Sequence, residues 1–185
     1  MNEHDAAELI GGAIPRGAGV WADLGAGDGT FTRVLVERIG PGGRIYAVDR
    51  DARAMAALER WRTKGAANVI AVVADFSRPF DFPGLGDGML DGMLFANVLH
   101  FVRDAGAVLS RLAMRLRPGG RVVVVEYDRR RASRWVPFPI PPVRLPAMAT
   151  AAGLSTPVIT ATRPSAYGGD LYVATADRLG AAGAP

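Results

Sequence analysis

Three glycines alternate with other residues at Gly25, Gly27 and Gly29, between an apolar run and a stretch of helical periodicity. Glycine has no Cβ atom, so the backbone can turn sharply there and a ligand can approach the main chain closely. An acidic residue, Asp23, stands two positions before the first glycine. The turn is therefore a candidate binding site.

Polar side chains fall at the ends of four successive predicted strands: Asp23, Asp49, Asp75 and Asn97. In an open parallel sheet, ligands bind at the carboxyl ends of the strands, so these residues should converge beside the glycine turn. Three carboxylates suit an adenosine better than a phosphate. One acid can accept hydrogen bonds from both ribose hydroxyls, and another can accept one from the adenine amino group. Asp23 and the backbone near Asn97 are placed to hold a cationic amine.

The elements that must position these residues are strands alternating with helices. The predicted strands are GVWADL, RIYAVD, NVIAVVAD, a part of GMLDGMLFAN, RVVVVEY, PVITATR and DLYVATAD. The predicted helices are about Asp5 to Gly12, Thr30 to Ile39, Asp51 to Lys64, an amphipathic helix in RDAGAVLSRLAMRLRPGG, and about Val143 to Ala152. In the third of these helices, we expect Ala52, Met55, Ala56 and Leu58 to face the core. Continuous β-branched runs between helices indicate a parallel sheet that is buried on both faces. The last two strands, joined by PSAYGG, predict an antiparallel hairpin.

The chain length of 185 residues and a hydrophobic content of 49% fit one domain with a well-buried core. We expect this domain over residues 1–179, with an N-terminal helix and lead-in at 1–18, a Pro-rich loop at 129–146 and a flexible tail at 180–185. In the Pro-rich loop, Trp135 and Phe138 either line a ligand pocket or anchor the loop to the core.

Composition excludes several classes of site and of protein. The chain has no cysteine, which excludes disulfides and thiolate chemistry, and His4 and His100 are too few for a multi-histidine metal site. We therefore expect no metal. The net charge of +4 is almost entirely arginine, since Lys64 is the only lysine, and it favours a solvated surface over a nucleic-acid interface. The one local basic run is Arg129 to Arg131.

No apolar run approaches the roughly 18 residues that a membrane helix needs. The N-terminal stretch MNEHDAAELIGG carries early acids and lacks the basic region of a signal peptide. We therefore expect a soluble, cytoplasmic protein without a membrane partner.

Five blocks resemble class I S-adenosylmethionine-dependent methyltransferases, in the order of that family. DLGAGDGTFT resembles motif I, IYAVDRD the acidic loop of strand two, and VVADFS the adenine loop. DGMLFANVLHFV resembles the fourth strand with its following helix, and LRPGGRVVVVEYD the fifth strand with its entry turn. They cover most of the chain from Val20 to Asp128. The resemblance implies an α/β, Rossmann-like, doubly wound sheet of seven strands, mostly parallel with an antiparallel last strand. It also implies S-adenosylmethionine as cofactor and S-adenosylhomocysteine as product.

The resemblance assigns four residues to the methionine end of the cofactor. Asp23 matches the acid of motif I, and Gly25 and Gly27 match the glycines whose backbone packs beneath the cofactor. Asn97 is at the strand-four position near the methionine moiety.

Four further residues match the adenosine end. Asp49 matches the ribose-binding acid, and Arg50 stands where a side chain often flanks the adenine. Asp75 and Phe76 match the adenine-binding pair, the first through its side chain and the second through its backbone N–H.

The resemblance implies transfer of a methyl group to a small-molecule O, N or C nucleophile by in-line displacement, as in quinone-biosynthesis methylases. A sulfonium is already a reactive donor, so catalysis is mainly placement of the nucleophile in a site that excludes water. His100, Glu126 and Tyr127 are candidates for a general base, and each has a packing role as its alternative. We expect the N-terminal helix and the Pro-rich loop to recognise the acceptor. The acceptor itself, and whether the protein is a monomer or a homodimer, stay open.

Two alternatives stand beside a methyltransferase. A nicotinamide dehydrogenase would use Gly-x-Gly-x-x-Gly, whereas Thr30 stands where its third glycine would fall. A non-catalytic protein that binds S-adenosylmethionine or S-adenosylhomocysteine, as a sensor or partner subunit, stays open.

Among methyltransferases, the ANVLHF segment departs from the Asn/Asp-Pro-Pro-Tyr/Phe block of DNA amino methyltransferases. The single lysine is too few for the lysine-centred tetrad of ribose methyltransferases, and the absence of cysteine excludes cysteine-dependent types.

Overall fold

The computed structural model describes residues 1–66, 68–128, 131–166 and 168–180. The helices are α1 (Glu3–Ile10), α2 (Thr30–Ile39), α3 (Ala52–Arg62), α4 (Ala105–Ala113) and α5 (Leu145–Ala151). The strands are β1 (Val20–Leu24), β2 (Arg44–Asp49), β3 (Val69–Val73), β4 (Leu90–Ala96), β5 (Leu116–Asp128), β6 (Val158–Pro164) and β7 (Asp170–Asp177). Short 3-10 turns occupy Leu99–Phe101 and Pro142–Arg144.

The seven strands form one sheet in the order β3-β2-β1-β4-β5-β7-β6. Strands β1 to β5 pair in parallel, and β7 runs antiparallel to both β5 and β6. The predicted α/β, Rossmann-like sheet with an antiparallel last strand is confirmed. The strand order reverses between β1 and β4, so the loops that follow these two strands border the switch point where such sheets bind ligands.

Both faces of β5 are covered by hydrophobic layers, which explains the unbroken apolar run of this strand. Val122 and Val124 pack in the hydrophobic layer on one face, and Val123 and Val125 pack in the layer on the other. A strand covered on both faces gains from a β-branched residue at every position, so no alternation of polar and apolar residues develops.

Local signals account for the helix ends. Helix α2 begins after Gly29 and stops at Gly40, two glycines with positive φ angles of 85° and 70°. Helix α1 begins two residues before the predicted Asp5, because the Asn2 side chain accepts a hydrogen bond from the Asp5 N–H at 2.8 Å and caps the helix.

Two details of the sequence interpretation are wrong. Ala52 and Ala56 are exposed on α3, and among the four residues expected toward the core only Met55 and Leu58 are buried. Strand β5 begins at Leu116 rather than at the predicted Arg121. The cause of the earlier start is pairing with the neighbouring strand: Leu116 is fully buried and pairs with Leu90 before the register shifts.

The Pro-rich segment is tied to the core. Val136 and Ile140 are buried, the Phe138 N–H donates to the His100 carbonyl at 2.9 Å, and the Tyr172 hydroxyl donates to the Ile140 carbonyl at 2.6 Å. Phe138 therefore anchors this segment, which is one of its two predicted roles.

Several sequence-based expectations fall on residues outside the described part of the chain. These are Arg129 and Arg130 of the basic run and of the predicted 129–146 loop, Tyr167 of the hairpin turn, and residues 181–185 of the predicted tail. In the described part, none of the helices combines the length and the hydropathy required to cross a bilayer.

Candidate functional site

The turn between β1 and α2 depends on left-handed glycines. Gly25, Gly27 and Gly29 have φ angles of 83°, 54° and 85°. A Cβ atom on Gly25 would lie 2.4 Å from a methyl of Val98, and one on Gly29 would lie 2.4 Å from a methyl of Leu58. A Cβ on Gly27 would meet no atom within 4 Å, so this glycine leaves open space beside the turn.

The backbone amides of the turn are already hydrogen-bonded within the protein. The N–H groups of Gly25 and Ala26 donate to the Val48 carbonyl at 2.8 and 3.0 Å, and the Gly27 N–H donates to Oδ2 of Asp49 at 2.9 Å. A phosphate-binding loop needs such amides directed at the ligand. These three amides are therefore not directed at a phosphate.

A cavity of about 320 Å³, which we call cavity A, opens at the switch point. Its lining is Gly25, Asp49, Arg50, Ala74, Asp75, Phe76, Ser77, Val98, Phe101, Val102 and Arg103. Five of the eight predicted cofactor residues are in this lining. Sequence reasoning missed the other lining residues, although Ser77 stands two positions after a predicted one and the segment from Val98 follows Asn97 directly.

Asp49 is held in place by two backbone amides at the end of β2. Its Oδ1 accepts from the Asp51 N–H and its Oδ2 from the Gly27 N–H, both at 2.9 Å. Each carboxylate oxygen has a second lone pair. Asp49 can therefore accept hydrogen bonds from two neighbouring hydroxyl groups of a ligand without changing its conformation.

The loop after β3 supplies a second carboxylate and an aromatic wall. Oδ1 of Asp75 accepts from the Ser77 N–H at 2.9 Å and from the Ser77 hydroxyl at 2.6 Å. The Ser77 hydroxyl bond holds the pKa of Asp75 below its ordinary value, so the carboxyl is ionised at neutral pH. The Phe76 carbonyl accepts from the Arg111 guanidinium at 2.7 Å, which fixes the loop against α4.

Asp23 lies beneath the turn and is not part of the lining of cavity A. Its side chain is 1% exposed, and its Oδ2 accepts from the Thr32 hydroxyl at 2.7 Å. Burial raises the pKa of Asp23 to about 7; the Thr32 bond opposes this rise and the negative charge of Asp49 adds to it. Asp23 is therefore a buried carboxyl that titrates near neutral pH.

Asn97 is the one non-glycine residue in the described part of the chain with a positive φ, at 57°. Its N–H donates to the Val125 carbonyl at 2.8 Å, which holds it at the end of β4. Its side-chain Oδ1 is buried and has no hydrogen-bond partner among the described residues. Backbone strain combined with an unsatisfied buried acceptor is typical of a functional position. The acceptor suits an N–H group of a ligand.

Asn97 borders a second cavity of about 200 Å³, which we call cavity B. Its lining is Met1, Asp5, Asn97, Tyr127, Arg163, Pro164, Ser165, Ala166 and Leu171. Cavity B is thus lined in part by the predicted N-terminal segment and in part by the β6–β7 hairpin. The sequence did not predict that the hairpin belongs to the site. No described residue of the Pro-rich segment contributes to this lining.

An ion pair joins the two walls of cavity B. The Arg163 guanidinium donates to Oδ1 of Asp5 at 2.8 Å, linking the edge strand β6 to helix α1. The Arg163 bond lowers the pKa of Asp5. The two residues are far apart in the sequence, and no local motif marks them as partners.

The predicted base candidates divide into a buried pair and a cavity residue. His100 Nδ1 lies 2.7 Å from Glu126 Oε2, and the side chains are 3% and 1% exposed. Neither side chain is part of the lining of cavity A or cavity B. Tyr127 lines cavity B beside Asn97. The described ranges contain no group of three side chains arranged to bind a metal ion.

A family model described as "Methyltransferase domain" matches residues 22–122. The chain is 28% identical over 108 residues to a ubiquinone/menaquinone biosynthesis C-methyltransferase of Pasteurella multocida, which covers 58% of this chain and 39% of that protein. It is 49% identical over 47 residues to ribosomal RNA small subunit methyltransferase H of Paracidovorax citrulli, covering 25% of this chain and 15% of that protein. The chain therefore spans well under half of the length of these curated relatives.

A solved structure has the same fold. It is the Burkholderia thailandensis 1,6-didemethyltoxoflavin-N1-methyltransferase, crystallised with 1,6-didemethyltoxoflavin and S-adenosylhomocysteine. The TM-score is 0.73 at 23% sequence identity, with 95% of this chain and 76% of that chain covered.

Proposed function

The chain belongs to the class I S-adenosylmethionine-dependent methyltransferase family, and we propose that it moves a methyl group from S-adenosylmethionine to a small-molecule O, N or C nucleophile. The observation that carries the proposal is the pair of cavities at the switch point. Cavity A presents carboxylates on fixed loops, and cavity B lies beyond the end of β4. Asn97 lines cavity B and Val98 lines cavity A, so consecutive residues border both.

Cavity A fits the adenosine part of the cofactor. Asp49 is fixed to accept from both ribose hydroxyls, and Asp75 and Phe76 offer a carboxylate and an aromatic edge for adenine. Arg50 lines the same cavity. The volume of cavity A, about 320 Å³, is at the small end of the range typical of ligand pockets. We therefore assign only the adenosine part to this cavity and expect the methionine part to extend toward Asn97.

The methionine end fits the unsatisfied acceptor of Asn97. Its buried Oδ1 would accept from the cofactor's ammonium group, which supplies the missing hydrogen bond. Asp23 contributes negative charge from beneath the turn whenever it is ionised. Gly25 and Gly27 shape the turn that follows Asp23, and the open space at Gly27 allows close approach of the cofactor.

The bound cofactor supplies a methyl group that is already activated by its sulfonium. This chain's residues hold the cofactor in one orientation, admit an acceptor from the side of cavity B and exclude water from the space between. No proton needs to be removed before transfer when the acceptor is a neutral amine, or when the nucleophile is already ionised. A general base is therefore not a requirement of the fold.

The size of cavity B favours a small acceptor over a macromolecule. Its volume is about 200 Å³, and its walls contain Tyr127 and Leu171 together with the Arg163–Asp5 ion pair. The Burkholderia neighbour was crystallised with 1,6-didemethyltoxoflavin and S-adenosylhomocysteine. The relatives described as ribosomal RNA small subunit methyltransferase H match over 47 to 91 residues and at most 28% of their own length, which is too little of those proteins to carry their substrate over.

Calorimetric titration with S-adenosylmethionine and S-adenosylhomocysteine, with NAD as a negative control, tests the cofactor proposal. Asp49→Ala should weaken binding by 10-fold or more, because hydrogen bonds to a charged group contribute about 1.5–3 kcal/mol. Asp87→Ala, at an exposed loop position, is the matched control and should bind like the wild type. Tight binding of NAD, or equal binding by both variants, would contradict the proposal.

Turnover is tested separately, with a panel of small phenols, amines and carbon acids and detection of S-adenosylhomocysteine. Product formation with any of them supports the enzyme. Tight cofactor binding with no turnover across the panel would favour the non-catalytic binding protein instead.

A further inference from the structure

We infer that His100 and Glu126 are a positioning pair that fixes the wall between cavity A and cavity B, and that His100 is not the general base. The inference rests on the proposed function, because it concerns how the same site is held in shape. It rests on the hydrogen bonds that converge on residue 100 and on the place of that residue between the two cavities.

One carboxylate holds both the backbone and the ring of His100. Glu126 Oε1 accepts from the His100 N–H at 3.1 Å, and Oε2 lies 2.7 Å from the ring Nδ1. The His100 carbonyl accepts from the Phe138 N–H at 2.9 Å. A single residue is thereby tied to the end of β5 and to the Pro-rich segment at the same time.

The residues beside this pair line the two cavities. Val98 and Phe101 flank His100 in the chain and line cavity A. Tyr127 follows Glu126 and lines cavity B, with its ring centroid 5.7 Å from that of His100. A change in the position of residue 100 must therefore move the walls of both cavities.

The same geometry argues against a role as general base. A base must come within hydrogen-bond reach of the proton that it removes, directly or through one water. Both side chains are buried to 3% exposure or less, neither lines cavity A or cavity B, and the ring Nδ1 is already engaged by Glu126. What remains for the pair is to fix the conformation of the turn after β4.

Substitution with asparagine separates the two roles. The side-chain Nδ2 of asparagine occupies the place of the histidine Nδ1 and can donate to Glu126, but nothing replaces the far ring nitrogen. His100→Asn therefore keeps the contact and removes the atom that could act as a base. His100→Ala removes both the contact with Glu126 and the far ring nitrogen. Glu126→Gln keeps an oxygen that accepts from the His100 backbone N–H, and its amide N–H can donate to the ring.

The probe is S-adenosylhomocysteine, titrated by calorimetry at a temperature where circular dichroism shows each variant fully folded. We expect His100→Ala to weaken binding at least 10-fold, and His100→Asn and Glu126→Gln to stay within 3-fold of the wild type. His4→Ala, which removes a histidine from an exposed face of α1, should change nothing.

Two results would overturn the inference. One is wild-type affinity in His100→Ala, which a base acting only on the acceptor would give. The other is a loss in His100→Asn as large as that in His100→Ala. If His100→Ala does not fold, the comparison of His100→Asn with the wild type still decides, because rescue by the conservative variant is required. A wild-type protein that does not bind the probe would instead count against the proposed function.

Discussion

Replacing Asp23 with asparagine tests whether the fold holds a carboxyl group that prefers to be neutral. The side chain is 1% exposed and accepts one hydrogen bond, from Thr32 at 2.7 Å. Burial raises the pKa of Asp23 from the ordinary 3.8 to about 7. The folded protein therefore binds this proton more tightly than the unfolded chain does. The contribution of Asp23 to the free energy of unfolding should accordingly be most favourable below pH 4 and fall as the pH rises toward 7.

The difference between these two pKa values corresponds to about 4 kcal/mol of unfolding free energy at pH 8. Asparagine has nearly the same shape as aspartate, its Oδ1 can accept the Thr32 bond, and it carries no charge to bury. We expect Asp23→Asn to differ from the wild type by about 1 kcal/mol or less at pH 4.5. At pH 8 the variant should be more stable by up to about 4 kcal/mol.

Urea denaturation of the ligand-free proteins at the two pH values measures this difference. Asp87→Asn, an exposed aspartate, is the control for the loss of one negative charge and should follow the wild type at both. The reasoning is refuted if Asp23→Asn is no more stable than the wild type at pH 8, or if its advantage is the same at pH 4.5.

Two further predictions concern the turn and the Pro-rich segment. Gly25→Ala should destabilise the protein by about 2–4 kcal/mol and weaken S-adenosylhomocysteine binding, because the new Cβ meets Val98. Gly27→Ala should destabilise the protein by only about 1 kcal/mol, because its new Cβ meets no atom and only the backbone is strained. Denaturation and calorimetry check both, and equal losses would contradict the packing difference. Tyr172→Phe leaves the Ile140 carbonyl without its donor, so stability should fall by about 1–3 kcal/mol. Unchanged urea denaturation would show that this bond contributes nothing.

The parts of the fold that follow from local signals were predictable from the sequence. Helix α2 and strands β2 and β7 have the predicted bounds of Thr30–Ile39, Arg44–Asp49 and Asp170–Asp177. Glycines stand at both ends of helix α2 and in the loop that follows it, and the strands contain β-branched and aromatic residues. The local preferences of the sequence therefore agree with the tertiary environment in these elements.

The parts that depend on distant contacts were not predictable. Leu116 joins β5 because it pairs with Leu90, and nothing in the Pro-Gly-Gly sequence that follows indicates an extended strand. Cavity B depends on Arg163 meeting Asp5, a contact between opposite ends of the chain. The pattern of polar residues at strand ends did identify Asp23, but only packing decides that it lies beneath the turn rather than in the cavity.

The two ends of the candidate cofactor site differ in how complete they are without a ligand. At the adenosine end, Asp49 has both oxygens hydrogen-bonded to backbone amides, so its orientation is set before any ligand binds. At the other end, Asn97 combines a strained backbone with a buried acceptor that lacks a partner among the described residues. A ligand that donates a hydrogen bond to that acceptor relieves an existing deficit, whereas one that only fills cavity A leaves it in place. Selectivity for a complete amino-acid-bearing nucleoside over a bare nucleoside should therefore arise at Asn97, and recognition of the nucleoside itself at Asp49.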